Sequence, residues 1–377
     1  MAIPASRPPS PASVTAPLAV ATYAALRTVV DTTDSNLLFS PLAVAGSLGL
    51  VGLGARGRSK EQIQVALQMQ SLNSAPGESG AGELRFAAGL FVAAGLRPDE
   101  AFLRAAVALG NASVQSTDFA QPSKAARHVD QWLRGGFRDA RDSQLQSLDV
   151  SPTGQLVVVS ALEFRGKWEQ AFLPELTHRF PFSCDDGTQV MVAMMFKQAE
   201  MLYGEVPEGQ VLELQYAGSH LGLVLGLPRQ DIPLVALENQ LRPRLLSDWP
   251  KSLKKQMVEL YLPRFQMQIE NDLQEMLKIL NVTDIFNPDS ADLSSISETR
   301  DLFVSRIMHR AFIEVNENGN EAISSTGSST TSRMAGYLYP QFIADHPFLF
   351  ALRNRQTDAI LLMGRLSKPQ SMAHSEF

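Results

Sequence analysis

Six histidines, one cysteine and a run of glycines are the residues whose types first suggest chemistry, so their spacing is tested first. Gly52-Leu53-Gly54-Ala55-Arg56-Gly57 matches the glycine pattern that cradles a dinucleotide pyrophosphate. That chemistry needs a strand before the glycines, a helix after them and an acid about 20 positions on. Here a helical pattern precedes the glycines and residues 71–76 hold no acid, so the reading is a mobile turn. The histidines, at 128, 178, 220, 309, 346 and 374, lack the pairwise spacing of a helical metal site. Cys184 stands alone, which excludes an intramolecular disulfide and any cysteine-rich zinc or iron–sulfur centre. It reads as a small hydrophobe or spare thiol. No Gly-x-Ser-x-Gly elbow occurs. By residue type alone, Trp168 reads as a core anchor and His309 as a satisfied core histidine. The sequence proposes no enzyme and no cofactor.

The bulk of the chain bounds what its elements must position. With 377 residues, 45% of them hydrophobic, it can bury a sizeable core. A net charge of -6 gives no ground to expect nucleic acid. No apolar run approaches the roughly 18 residues that span a bilayer, so no membrane is expected. Residues 1–14 begin in Pro, Ala and Ser and read as a flexible lead-in. Dense apolar patterns predict buried helices over 18–30 and 41–53. Residues 71–83 read as a Ser/Gly loop. An amphipathic helix follows, with Ala125, Val129, Trp132, Leu133 and Phe137 on one face. Strands are predicted over 156–164, covered on both faces, and over 221–227, 257–262, 348–353 and 359–365. Residues 266–269 are expected to continue the third beyond a kink at Pro263. Lys251-Ser252-Leu253-Lys254-Lys255 reads as a solvated face. Helices early and strands late predict an α+β fold of one domain, without internal repeats. Residues 317–337 are odd: about twenty residues with only Ile323 and Met334 as large apolar groups before Tyr337, set between strands, mark a functional loop or a linker.

At the C-terminal end the residues become specific. Phe342-Ile343-Ala344-Asp345-His346-Pro347-Phe348-Leu349-Phe350-Ala351-Leu352 resembles the serpin signature at every defined position. Asn36-Leu37-Leu38-Phe39-Ser40-Pro41, Ala161-Leu162-Glu163-Phe164-Arg165-Gly166-Lys167-Trp168 and Val258-Glu259-Leu260-Tyr261-Leu262-Pro263-Arg264-Phe265 are similar to further serpin landmarks, in the same order. The resemblance spans about 15–370 and leaves 371–377 as a tail. It implies three β-sheets, eight or nine helices and an exposed reactive-centre loop at about 317–340. It also implies a mechanism: a serine protease cleaves the loop, is acylated by it, and is trapped when the freed loop inserts into the large sheet.

By the family's convention the bait residue lies fourteen positions after the hinge glycine, which makes Gly319 the hinge and Arg333-Met334 the reactive bond. An inserted strand alternates its side chains between two faces. Inward positions are then Asn320, Ala322, Ser324, Thr326, Ser328 and Thr330, five of them small, while Glu321 faces outward. No proline interrupts residues 319–333, so every ladder donor is available. Arg333 suits a trypsin-like pocket with a carboxylate at its base, so trypsin, plasminogen activators, plasmin and thrombin are the candidate partners. Asn320 departs from the usual Thr, Ser or Val, and burying an unpartnered amide costs on the order of 1–3 kcal/mol. The resemblance places Ser40, Ser160 and His309 in the shutter under the sheet and Trp168 at the breach above it. Ala43 and Ser160 stand where a serine and an asparagine are usual, which can favour polymers of an otherwise monomeric protein. The loop at 71–83 replaces a heparin-binding helix, so weak or no heparin binding is expected. Sequons at Asn111-Ala112-Ser113 and Asn281-Val282-Thr283 suggest a secreted glycoprotein whose signal segment has been removed. The end, Ala373-His374-Ser375-Glu376-Phe377, faintly resembles a retrieval tail of the endoplasmic reticulum. The alternative is a non-inhibitory serpin acting as carrier, hormone precursor or secretory-pathway chaperone.

Overall fold

The computed structural model describes residues 12–30, 35–67, 83–110, 112–137, 155–299, 301–318 and 339–370. Strand β4 (Leu156–Arg165) organises it. Its first nine residues are all buried, as the valine-rich run predicts for a strand covered on both faces. On one side it pairs antiparallel with β2 (Glu83–Ala93), which carries β3 (Ala112–Thr117). On the other it pairs parallel with β11 (Val304–Val315), which carries β10 (Phe265–Asp272). The resulting sheet has the order β10-β11-β4-β2-β3.

Helix α2 (Pro41–Gly54) lies against β4 and β2. The Ser40 hydroxyl caps it by accepting from the Ala43 amide, and Pro41 occupies its first turn, where no amide donor is missed. The opposite face carries α5 (Pro122–Gly136), whose Ala125, Ala126, Val129 and Leu133 pack on Val157, Val159 and Ala161.

A second sheet contains β1 (Leu37–Phe39), β5 (His178–Ser183), β6 (Gln189–Val206), β7 (Gly209–Gln215), β8 (Leu221–Pro228), β9 (Lys254–Pro263), β12 (Gln341–Ile343), β13 (Phe348–Asn354) and β14 (Ile360–Leu366). The resemblance implied three sheets. Two of them are joined here, because β6 pairs with β5 through residues 189–194, with β9 through 194–203 and with β7 through 202–206. Around the sheets, α1 (Ala12–Val29), α3 (Gly57–Leu67), α4 (Glu100–Ala108), α6 (Leu234–Gln240), α7 (Pro243–Ser252) and α8 (Gln274–Ile279) complete eight α-helices among the described residues.

Three expectations change. Residues 266–269 do not continue β9: the chain crosses to the other sheet at Arg264, so β9 and β10 belong to different layers. Helices and strands are not segregated along the chain, since β2 and β3 come early and α6 to α8 late. The glycine run is not a mobile turn. It closes α2 and enters α3, and a Cβ at Gly54 would lie 2.0 Å from Ile296, so the glycine admits a close approach. The expected loop at 71–83 falls outside the described residues except for Glu83, which opens β2.

A buried ion pair spans β8 to join β7 and β13. Arg353 donates to both oxygens of Glu213, at 3.2 and 2.9 Å, and a Cβ at Gly222 between them would lie 2.2 Å from the carboxylate. Removing one member of such a pair leaves a buried charge unpaired, a loss of about 3–5 kcal/mol. Glu213→Ala is therefore expected to lower the denaturant midpoint strongly. An unchanged midpoint would show that solvent reaches Arg353.

Candidate functional site

The site is the seam between β4 and β11. These strands run parallel and side by side from Val304↔Leu156 to Ile313↔Phe164. Each is antiparallel to its other neighbour. Beyond β11 the chain continues through Asn316, Glu317 and Asn318, and it is described again from Tyr339, just before β12 pairs with β9. A segment of twenty residues, 319–338, thus links the end of the seam to the second sheet.

Beneath the middle of the seam lies a polar cluster in an apolar layer. His309 on β11 faces Ser160, its register partner on β4. The Ser40 amide donates to His309 Nε2 at 2.9 Å. Because Nε2 accepts, the neutral ring carries its proton on Nδ1, which donates to Ser160 Oγ at 3.2 Å. Ser40 Oγ in turn donates to the Leu361 carbonyl on β14 at 2.7 Å. One imidazole therefore ties both seam strands to the cap of α2 and the second sheet. His309 and Ser160 are fully buried, and burial pushes the imidazole down to about 4. Asn271 on β10 adds a bond to the Leu38 carbonyl at 3.0 Å.

At the upper end, Trp168 holds the chain as it leaves β11. Its indole donates to the Asn316 carbonyl at 2.8 Å and its amide to the Asn318 carbonyl at 3.3 Å. The Phe172 amide donates to the Glu317 carbonyl at 2.8 Å, and Thr177 Oγ1 donates to the Glu317 carboxylate at 2.8 Å. Trp168 is fixed by stacking on Tyr216, ring centres 4.3 Å apart. Between these ends, the Arg165 guanidinium of β4 lies over the Phe312 ring of β11 at 5.3 Å.

The structure thus brings Ser40, Ser160 and His309 together and sets Trp168 at the exit of the same seam. The core readings of Trp168 and His309 are right about burial and miss the polar atoms, which do the holding. Thr177, Tyr216, Phe312 and Asn271 were not singled out from sequence; only contacts across the fold mark them. Asn281 is exposed, in a left-handed conformation with φ 63° just after α8. Asn111, the hinge residues Gly319, Asn320, Glu321 and Ala322, and the bond Arg333-Met334 lie outside the described residues.

A pH dependence follows from His309. Its folded value near 4 lies below the ordinary 6.5, so the unfolded chain binds more protons between the two. The stability it contributes is complete above about pH 6.5 and is lost as pH falls toward 4, on the order of 3 kcal/mol in all. The thermal midpoint of the wild type should fall more steeply across that window than that of His309→Gln. Equal slopes would mean that the imidazole is not the titrating group.

Comparison with known proteins places these features in a family. A family model for serpins, serine protease inhibitors, matches residues 15–369. Neuroserpin of Gallus gallus is 38% identical over 96% of this chain and 92% of its own length. Neuroserpin of Homo sapiens is 37% identical over the same shares. In the sequence, the stretches Arg229-Gln230-Asp231-Ile232-Pro233-Leu234, residues 252–265, and Ser332-Arg333-Met334-Ala335 with Leu338-Tyr339-Pro340-Gln341 resemble neuroserpin. Serpin B8 of Bos taurus is 34% identical over 89% of this chain and 93% of its own. Among solved structures, native protease nexin-1 with heparin superposes with a TM-score of 0.85 at 27% identity, covering 95% of this chain and all of that one. Uncleaved ovalbumin gives 0.84 at 24%, a likeness of fold, over 96% of this chain and all of its own. With the family model matched over residues 15–369 and relatives more than 30% identical over most of its length, the chain belongs to the serpin family.

Proposed function

We propose that the chain is a suicide-substrate inhibitor of trypsin-like serine proteases, of the plasminogen-activator type. One observation carries the reading: β4 and β11 are parallel neighbours, and the twenty residues that could part them leave from the C-terminal end of β11 itself. A chain folding back from Asn318 between the two strands runs antiparallel to both, so both ladders can re-form around it. The alternation of small residues from Ala322 to Thr330, free of proline, suits that passage beneath α5.

The chemistry is the protease's own. Its serine attacks the Arg333 carbonyl, an ester to the serine forms, the Arg333-Met334 bond breaks, and the new amine of Met334 takes up the proton. Water would normally hydrolyse the ester. Insertion of residues from 320 onward carries the acylated protease away from Trp168 before that happens and distorts its active site. Asn320 sets this race: its amide is the first side chain to pass inward, and a slower start lets more ester hydrolyse. Exposure of Asn281 favours modification at that sequon, in line with a secreted glycoprotein. The tail at 371–377 leaves retention in the endoplasmic reticulum as a variation on that route. Arg333-Met334 and Val315-Asn316-Glu317-Asn318-Gly319 resemble the plasminogen-activator inhibitors. Heparin is held weakly or not at all in this reading, and the monomer polymerises when the seam opens without cleavage.

The test mixes the protein with trypsin and with a plasminogen activator. A complex resisting denaturation, and a released fragment beginning at Met334, are the expected products. Asn320→Thr should raise the share of complex over cleaved inhibitor, and Arg333→Ala should abolish both with these proteases. Cleavage without any complex, in the wild type and in Asn320→Thr alike, would instead support a non-inhibitory serpin acting as carrier or chaperone.

A further inference from the structure

The loop that follows β4 is fastened in two halves. Its first half is tied to the end of β7. There the Glu169 amide donates to the Gln215 carbonyl at 2.9 Å, the Ala217 amide donates to the Lys167 carbonyl at 2.7 Å, and Trp168 stacks on Tyr216. Its second half, residues 170–173, carries the Phe172 amide that holds the Glu317 carbonyl. Among the described residues, this half has one polar contact to the second sheet, and Lys197 of β6 makes it: the ammonium donates to the Gln170 carbonyl. The same ammonium lies 5.1 Å from the centre of the Phe172 ring.

Lys197 reaches the loop at a fork in the sheet. Strand β5 leaves β6 at residue 194 and β7 joins it at 202, so residues 195–201 have β9 as their only strand partner among the described residues. A cavity of about 200 Å³ occupies the fork, with Trp168, Gln170, Lys197 and Gln215 in its walls. Four other charged groups face it: Glu169 of the loop, Glu200 of β6, Glu213 of β7 and Lys255 of β9. Glu200 is paired with Lys255 at 3.1 Å and Glu213 with Arg353 at 2.9 Å, and no carboxylate among the described residues is in ion-pair range of Lys197. Its contacts go to the loop instead. Burial draws the ammonium down to about 8, with Glu169 opposing, so at pH 7 it is charged although largely withdrawn from water.

We propose that Lys197 is a positioning residue for the loop exit: it fixes residues 170–173 against β6 and so keeps the Phe172 amide on the Glu317 carbonyl. Without the ammonium, this half of the loop loses its polar tie to β6, and water in the cavity takes over the Gln170 carbonyl. The grip on Asn316 and Asn318 comes from Trp168, in the half fastened to β7, and persists. Removal of Lys197 therefore loosens one carbonyl of three. That role stands on the contacts of the loop. Its consequence, an earlier release of the exit during insertion, rests on the function proposed above.

The test is residue-resolved hydrogen exchange at pH 7 on the full chain, comparing wild type, Lys197→Met and Lys197→Arg. Lys197→Met should speed exchange of the Phe172 amide about tenfold and leave the Trp168 and Glu169 amides unchanged. Lys197→Arg, whose guanidinium can donate to the same carbonyl and lie over the same ring, should restore protection at Phe172. Unchanged exchange at Phe172 in Lys197→Met would overturn the proposal. So would an equal rise at 168, 169 and 172 that arginine does not reverse, because that marks general loosening. Should Lys197→Met fail to fold, Lys197→Gln, uncharged and too short for the carbonyl but polar toward the cavity, is read by the same criteria. Reaction with trypsin then separates the clamp from the function. The ratio of complex to cleaved inhibitor should rise in Lys197→Met alone, and an unchanged ratio would overturn the consequence for insertion. No complex in any of the three proteins, with the exchange pattern as expected, would count against inhibition and leave the positioning role standing.

Discussion

Parallel strands become neighbours only when the chain travels out of the sheet and returns, and β4 and β11 meet after an excursion that builds most of the second sheet. Their pairing fixes the place of everything around it. The face beneath takes α2, the face above takes α5, and the two flanking pairs, β2 and β10, close the sheet on either side. The strand that could separate these two is supplied by the chain itself, from a segment anchored at one end to β11 and at the other to the edge strand β12. The seam is held by its ladder and by a few specific side chains, which in the proposed function would govern its opening.

The holding residues sit at three heights and act through different physics. At the exit, Trp168 and Phe172 grip three successive carbonyls, 316 to 318, so the first turn of any inserting loop must break backbone bonds. In the middle, Arg165 lies over Phe312 across the strands. Beneath, His309 joins both strands to α2 and to β14. The imidazole is the most conditional of these. It acts as an acceptor toward Ser40 and a donor toward Ser160 only while neutral, and its burial keeps it so through the physiological range. Such polar groups in a dry layer are costly when unpaired and specific when paired.

What was legible in the sequence follows from how local each signal is. The valine run of β4, the apolar density of α2 and the amphipathic spacing of α5 appear in the residues themselves, since each element meets its environment along one continuous stretch. Strand β6 was not legible. Its eighteen residues serve three partners, β5, β9 and β7, and their exposure changes along the strand, so neither a period of two nor an unbroken apolar run emerges. The site is less local still. Ser40 and His309 are 269 residues apart and were grouped through family resemblance, not through spacing. Thr177, Tyr216 and Phe312 left no mark, because an ordinary residue becomes a clamp only through what the fold sets beside it. Arg310 is a further case: in sequence it is one more basic residue, and only the fold shows that it is buried beside Glu270.

The central claim is that the seam between β4 and β11 opens to admit the chain's own loop. The most direct measurement compares the thermal midpoint of the intact protein with that of protein cleaved once between residues 319 and 338 by a protease it does not trap. Insertion converts five strands into six, completes both ladders and should raise the midpoint by tens of degrees. A cleaved protein that melts with the intact one would contradict the account, because its loop would have stayed outside the sheet.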